Sequence, residues 1–240
     1  MRAFMPATVV ALFLISTPAV HSEKFAVVDQ ICPVCAEKYQ ARVHVISSAR
    51  GMRLDLKPIG CTAPSPVPMC PKCGFVHFRE DEYPAAELKT LKEFVGSDAY
   101  KKLVKDRETP HFCLARTYAH LKRDPHQVAF LYLKATWEAE DDKESKDRAK
   151  RYLAECLTAY EAAAGTKSKV ADAVPTARYL CGELLRRLGK FDEARAHFEG
   201  LKKDKVFDAG AFPKLLEAQL KLVGEKDTLP NPAPSEREKD

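Results

Sequence analysis

Two short matched runs constrain this chain more than anything else in it. Cys32-Pro33-Val34-Cys35 and Cys70-Pro71-Lys72-Cys73-Gly74 hold four of its eight cysteines, with 34 residues between them. Two cysteines separated by two residues can face one point from a single tight turn. Proline at the second position stiffens that turn, and glycine after the last cysteine lets the backbone fold back. Two such turns supply the four soft ligands of a tetrahedral Zn2+ site, with sulfurs at about 2.3 Å from the ion. Four thiolates leave no open coordination position, so the metal is read as structural, with Cys32, Cys35, Cys70 and Cys73 as its ligands.

Short strand-like runs surround the two turns. Phe25-Ala26-Val27-Val28 precedes the first. Ala41 to Ile46 follows it, alternating and β-branched, and Met52 to Leu56 alternates again after a turn at Ser47–Gly51. These are hairpin signals, and they predict a hairpin between the second and third runs. Gly74 to Phe78 supplies a further short strand. Turn, hairpin, loop, turn and strand follow one another as they do in a zinc ribbon. A head of about 50 residues is small for core burial alone, and a bound metal adds an apparent 10–16 kcal/mol, roughly, to the folded state.

The first residues read as a secretory signal peptide over residues 1–22. Arg2 gives a positive start, Ala7 to Ile15 is apolar, and Thr17 to Ser22 supplies small residues, with a cleavage site near Ser22. The apolar run is shorter than the roughly 20 residues a membrane-spanning helix needs. An uncleaved N-terminal anchor is the alternative, and no later segment is apolar enough to span. The mature chain is therefore expected to be periplasmic or secreted. In an oxidising compartment cysteines default to disulfides, so disulfides in place of metal stay open. So does a thiol oxidoreductase or redox sensor built on Cys32 and Cys35, which would need a helix N-terminus to lower the thiol pKa. The residues after Cys35 lead into a strand-like run instead. Cys61, in the Pro-rich loop between the turns, could be a spare ligand or a reactive thiol, and with nothing nearby to lower its pKa it is read as a loop cysteine without a role. His44 and His77 read as surface groups or as supports behind the ligands, because four thiolates already suffice.

The head is placed at 23–83 and a helical body at 84–225. Ala85 to Phe94 has helical spacing, Ser97 is a candidate N-cap, and Thr109-Pro110 starts a third helix with proline at its first position. Leu180-Cys181-Gly182-Glu183-Leu184-Leu185, then Leu188-Gly189-Lys190-Phe191-Asp192-Glu193-Ala194 and Phe198, resembles a tetratricopeptide repeat. Small residues at Gly182 and Ala194 let two helices approach closely. Two periods of about 34 residues earlier, Leu114 to Tyr118 repeats the first-helix pattern. A looser middle unit over Ala149–Ala164 gives three helical hairpins, which must stack to bury their faces. Trp137, Cys113, Cys156 and Cys181 are read as core, and Asp141 to Arg148 as a solvated junction. Lys226 to Asp240 is read as a disordered tail. The fold class is α+β, mostly α: a zinc-ribbon-like head followed by a tetratricopeptide-like helical array.

The Cys32–Cys35 opening, Asp55-Leu56, Cys70 to Phe75, Tyr132 to Trp137 and the helical body together resemble a bacterial family catalogued as domain of unknown function 2225. The match covers roughly Phe25 to Val223. It implies the architecture and adds no activity. The N-terminal leader stands apart from it and argues against a cytoplasmic role.

A formal charge of +5 arises from 39 basic and 34 acidic residues without a long single-sign block. Charge alone therefore implies no nucleic-acid partner. The sequence has no HExxH, GxSxG or phosphate loop. These readings favour a non-enzymatic interaction scaffold that presents its concave helical surface to a protein or peptide.

Overall fold

The computed structural model describes residues 24–46, 48–79, 81–142, 146–170 and 172–234. The leader at 1–22 lies outside these residues. More than half of the described residues are helical, and the strands among them lie in the first third of the chain.

β1 (Lys24–Ile31) and β2 (Lys38–Ile46) form an antiparallel hairpin, and the first cysteine turn is its connection. Ile31 pairs with Lys38 across that turn. The second cysteine turn repeats the arrangement in miniature, with Met69 bridging Val76. The hairpin expected between Ala41–Ile46 and Met52–Leu56 is not formed. β2 pairs backward with β1, while β3 (Gly51–Met52) pairs with β4 (Pro58–Ile59). Alternation marks a strand but not its partner, and here the metal-type turn sets the register. Arg53 to Lys57 becomes a tight turn, closed by Arg53 N–H donating to Lys57 O at 2.8 Å, with Leu56 at φ 67°.

The body begins with α1 (Ala85–Gly96) and α2 (Asp98–Lys105). Ser97 caps α2, its hydroxyl accepting from Tyr100 N–H; such a cap satisfies a donor the helix leaves open. Six helices then follow as successive antiparallel neighbours. They are α3 (Pro110–His120), α4 (Pro125–Asp141), α5 (Lys146–Ala164), α6 (Ala173–Arg187), α7 (Phe191–Leu201) and α8 (Phe212–Gly224). The middle unit expected over Ala149–Ala164 is the single helix α5, so α3/α4 and α6/α7 are joined by one helix and not by a third complete hairpin. The close approach read at Gly182 is present: a Cβ there would sit 2.4 Å from Phe198 Cε1. Trp137 and the three scattered cysteines Cys113, Cys156 and Cys181 are all buried.

Head and body share one hydrophobic core, which runs from Cys32, Cys70, Phe75 and Val76 through Leu91 and Tyr100 into α3–α8. A polar seam joins them as well. Asp55, in the turn after β3, is fully buried and accepts from Arg53, Trp137 and Arg187. Tyr179 Oη donates to Leu54 O at 3.0 Å.

The tail reading needs correction over its first part. Leu54 N–H donates to Asn231 O (2.9 Å) and Ala233 N–H to Met52 O (2.8 Å). The segment thus extends the small β3/β4 sheet by a short bridge at Arg53–Pro232. Arg186, buried in α6, donates to Asp227 O and Leu229 O. Charge and proline content favour a solvated chain, but the backbone at Asp227 and Leu229 finds its partner on α6 and that at Asn231 and Ala233 on the head.

Candidate metal centre

Each cysteine turn is closed by the same two backbone hydrogen bonds. Ala36 N–H donates to Cys32 O at 2.9 Å, and Cys32 N–H to Glu37 O at 2.8 Å. In the second turn Gly74 N–H donates to Cys70 O at 2.9 Å, and Cys70 N–H to Phe75 O at 2.8 Å. The residue after the last cysteine is left-handed in both, Ala36 at φ 59° and Gly74 at φ 72°. Only the second position requires glycine for space as well, because a Cβ there would lie 2.3 Å from Val104 Cγ2 on α2. Tyr100 Oη, also on α2, donates to Gly74 O at 2.8 Å. The second turn is thus anchored in the helical body, and the first meets it sulfur to sulfur and through the Glu37–Lys72 ion pair.

The four sulfurs of Cys32, Cys35, Cys70 and Cys73 all lie within 4.8 Å of one another. Cys32 Sγ is 3.6 Å from Cys73 Sγ, and Cys35 Sγ is 3.6 Å from Cys70 Sγ. Tetrahedral ligands at about 2.3 Å from one ion sit about 3.8 Å apart, whereas a disulfide needs about 2.05 Å. The observed spacing fits a shared ion, and all four cysteines are free thiols. Cys32 and Cys70 are buried, while Cys35 and Cys73 are partly exposed.

The protein does little by itself to ionise this cluster. Burial pushes the Cys32 thiol up to about 11 and raises Cys73 as well. At Cys35 burial also acts upward, but the Glu37 amide and hydrogen bonds from the neighbouring thiols outweigh it and bring the pKa down. Burial, reinforced by the thiols, raises the nearby Tyr39 hydroxyl. A divalent cation is what makes four close thiolates tolerable, and with one bound the cluster keeps two negative charges. Lys72, Lys92 and Lys101 line a depression of about 410 Å³ beside Cys73 and oppose that charge.

The four ligands read from the sequence are the four the structure brings together. Cys61 remains a half-buried free thiol outside the cluster. His77 packs edge-on against Phe75, which lies beneath the second turn. Sequence reading did not find Tyr100 and Val104, whose roles come from tertiary packing alone, nor the use of Trp137 as a hydrogen-bond donor to Asp55.

A four-cysteine cluster suited to a metal ion, set in a small β head and packed on consecutive antiparallel helices, defines the class. Within it, the chain belongs to the bacterial family described as "Uncharacterized protein conserved in bacteria (DUF2225)", whose model matches residues 28–220. No curated protein and no solved structure matches the chain significantly. No helix among the described residues is long and apolar enough to cross a membrane.

Proposed function

We propose that the chain is a non-enzymatic, extracytoplasmic interaction scaffold whose head is locked by a structural Zn2+ on Cys32, Cys35, Cys70 and Cys73. The observation that carries the metal is the sulfur geometry: four thiols from two equivalent turns, spaced for one tetrahedral ion. Four sulfurs of this softness suit zinc. The scaffold reading draws support from the consecutive antiparallel helices, an arrangement that offers extended surfaces to proteins or peptides. The leader sequence supports a periplasmic or secreted location. The redox alternative on Cys32 and Cys35 finds less support. The first thiol of such a pair is normally lowered in pKa by a helix N-terminus, whereas Cys32 sits buried in a β-hairpin turn and is pushed up.

Metal analysis of the purified mature chain with a count of alkylatable thiols tests the metal. One zinc per chain is expected, with four thiols protected until a chelator is added. A metal-free chain whose Cys32–Cys35 pair cycles between dithiol and disulfide would overturn it in favour of the redox reading. The scaffold is tested by photo-crosslinking in cells from exposed positions on α3–α8, such as Phe130. One discrete protein adduct from one face supports it, and none from any position removes it. N-terminal sequencing of the exported chain checks the leader.

A further inference from the structure

The four sulfurs can be clasped in two ways. Cys32 Sγ lies 3.6 Å from Cys73 Sγ, and Cys35 Sγ lies 3.6 Å from Cys70 Sγ. Both contacts run from one turn to the other. Each also joins a buried cysteine to a partly exposed one, Cys32 to Cys73 and Cys70 to Cys35. All the sulfur pairs lie within 4.8 Å, and these two contacts are already short. A pair at that range has to close by only about 1.5 Å to reach the roughly 2.05 Å of a disulfide.

The surroundings make such a change consequential. Thiols in a chain sent to an oxidising compartment are exposed to disulfide formation. Cross-turn bonds would span sequence separations of 41 and 35 residues, and longer closed loops restrain the unfolded chain more. They would also keep the first turn against the second, which Tyr100 and Val104 fix to α2. Bonds within each turn would leave the two turns joined by packing and by the Glu37–Lys72 ion pair, which is 3.4 Å long and largely exposed.

We propose that the cluster is a redox-convertible clasp: a peroxide turns the four thiolates into two cross-turn disulfides, Cys32–Cys73 and Cys35–Cys70, and releases the ion while the head stays closed. The inference rests on the metal reading given above and adds its regulation. In each pair the partly exposed thiolate attacks the peroxide, breaks its O–O bond and becomes a sulfenic acid, with one hydroxide leaving. The buried thiolate 3.6 Å away then attacks that sulfur and expels a second hydroxide as the S–S bond forms. Two electrons pass from the sulfur pair to each peroxide. Two peroxides thus consume all four ligands, and the Zn2+ departs with none left to hold it.

The test adds hydrogen peroxide to the reduced, zinc-loaded mature chain and follows zinc release with a metallochromic indicator. About two peroxides should be consumed for each ion released. Non-reducing tryptic mass mapping reads the pairing. Cleavage after Lys24, Lys38 and Lys72 leaves Cys32 and Cys35 on one peptide and separates Cys70 from Cys73. Cross-turn bonds therefore join the Phe25–Lys38 peptide to both others, whereas in-turn bonds leave it unlinked. Fragment spectra distinguish Cys32–Cys73 from Cys32–Cys70, and Cys61 should remain alkylatable throughout. Trp137 emission should match that of the reduced, loaded chain, because the head keeps its seat on the body. A reduced chain that takes up no zinc overturns the metal reading and this inference with it. A loaded chain that keeps its ion in a large excess of peroxide overturns this inference alone. So does one that yields in-turn disulfides or sulfinic acids, or whose Trp137 emission moves to the red on oxidation.

Discussion

Truncating Asp55 to alanine probes the seam between head and body. The side chain is fully buried and accepts from Arg53 Nε (2.9 Å), Trp137 Nε1 (3.0 Å), Arg187 Nη1 (3.1 Å) and the Lys57 amide (3.2 Å). Glu140 takes the second amino group of each arginine, with Arg53 Nη2 at 2.8 Å and Arg187 Nη2 closer still. Two carboxylates thus balance two guanidiniums. Removing Asp55 leaves one uncompensated positive charge and strips Trp137 Nε1, Arg187 Nη1 and Arg53 Nε of their partner there. Breaking a buried ion pair from one side costs about 3–5 kcal/mol. Glu140 still holds both arginines, and Arg53 keeps 14% of its side chain exposed, so the lower end of that range applies. We expect a loss of about 3 kcal/mol from a total of about 5–15. The assay is guanidinium unfolding followed by tryptophan emission. Trp137 is the sole tryptophan, so its native emission reports the seam directly. Asp55→Ala should shift that emission to the red and lower the midpoint while zinc stoichiometry holds. A destabilisation under about 0.5 kcal/mol with unchanged emission would falsify this account of how head and body are joined.

Gly74→Ala should destabilise by about 2–4 kcal/mol, adding left-handed strain to a collision with Val104. Val104→Ala should rescue part of that loss in thermal melts, and an additive double variant would refute the collision. Ala36→Gly, at the matching position without that neighbour, should be neutral or stabilising in the same melts. Gly182→Ala should cost about 1–3 kcal/mol because its methyl would overlap Phe198; wild-type stability in urea would show that α6 and α7 have room to part. The pH dependence comes from the buried thiols. Burial raises Cys113 and Cys181 to about 12 from an ordinary 9.0. A raised thiol pKa contributes stability that is complete below the unfolded-state value and is lost as pH climbs toward the folded one. Denaturant midpoints should therefore fall from about pH 9 upward, and Cys113→Ala/Cys181→Ala should flatten that fall.

What the sequence disclosed follows a physical divide. The four-cysteine cluster was legible because the turn chemistry is local: two residues of spacing, proline stiffening and a left-handed step at Ala36 or Gly74 shape each turn without help from elsewhere. Helices α1–α3 were legible because Ser97, Pro110 and the apolar spacing act within a turn or two. Strand pairing was not, since β1, β2 and the Met52–Leu56 run all alternate and only the closed turn selects among them. The middle hairpin failed because periodicity continues through α5 whether or not a second helix follows. The docking of Asn231 and Ala233 on the head was hidden, because it uses backbone groups that no side-chain pattern encodes.

That last contact has a consequence for how the chain matures. Leu54 bonds to Asn231 across 177 positions. During synthesis or export, the early β segment must wait with an open edge while every helix emerges behind it. An open strand edge invites pairing with other chains. Delivery of residues 231–233 is the step that closes it, so a truncation just before Asn231 should aggregate during biogenesis even though every cysteine and every helix is intact.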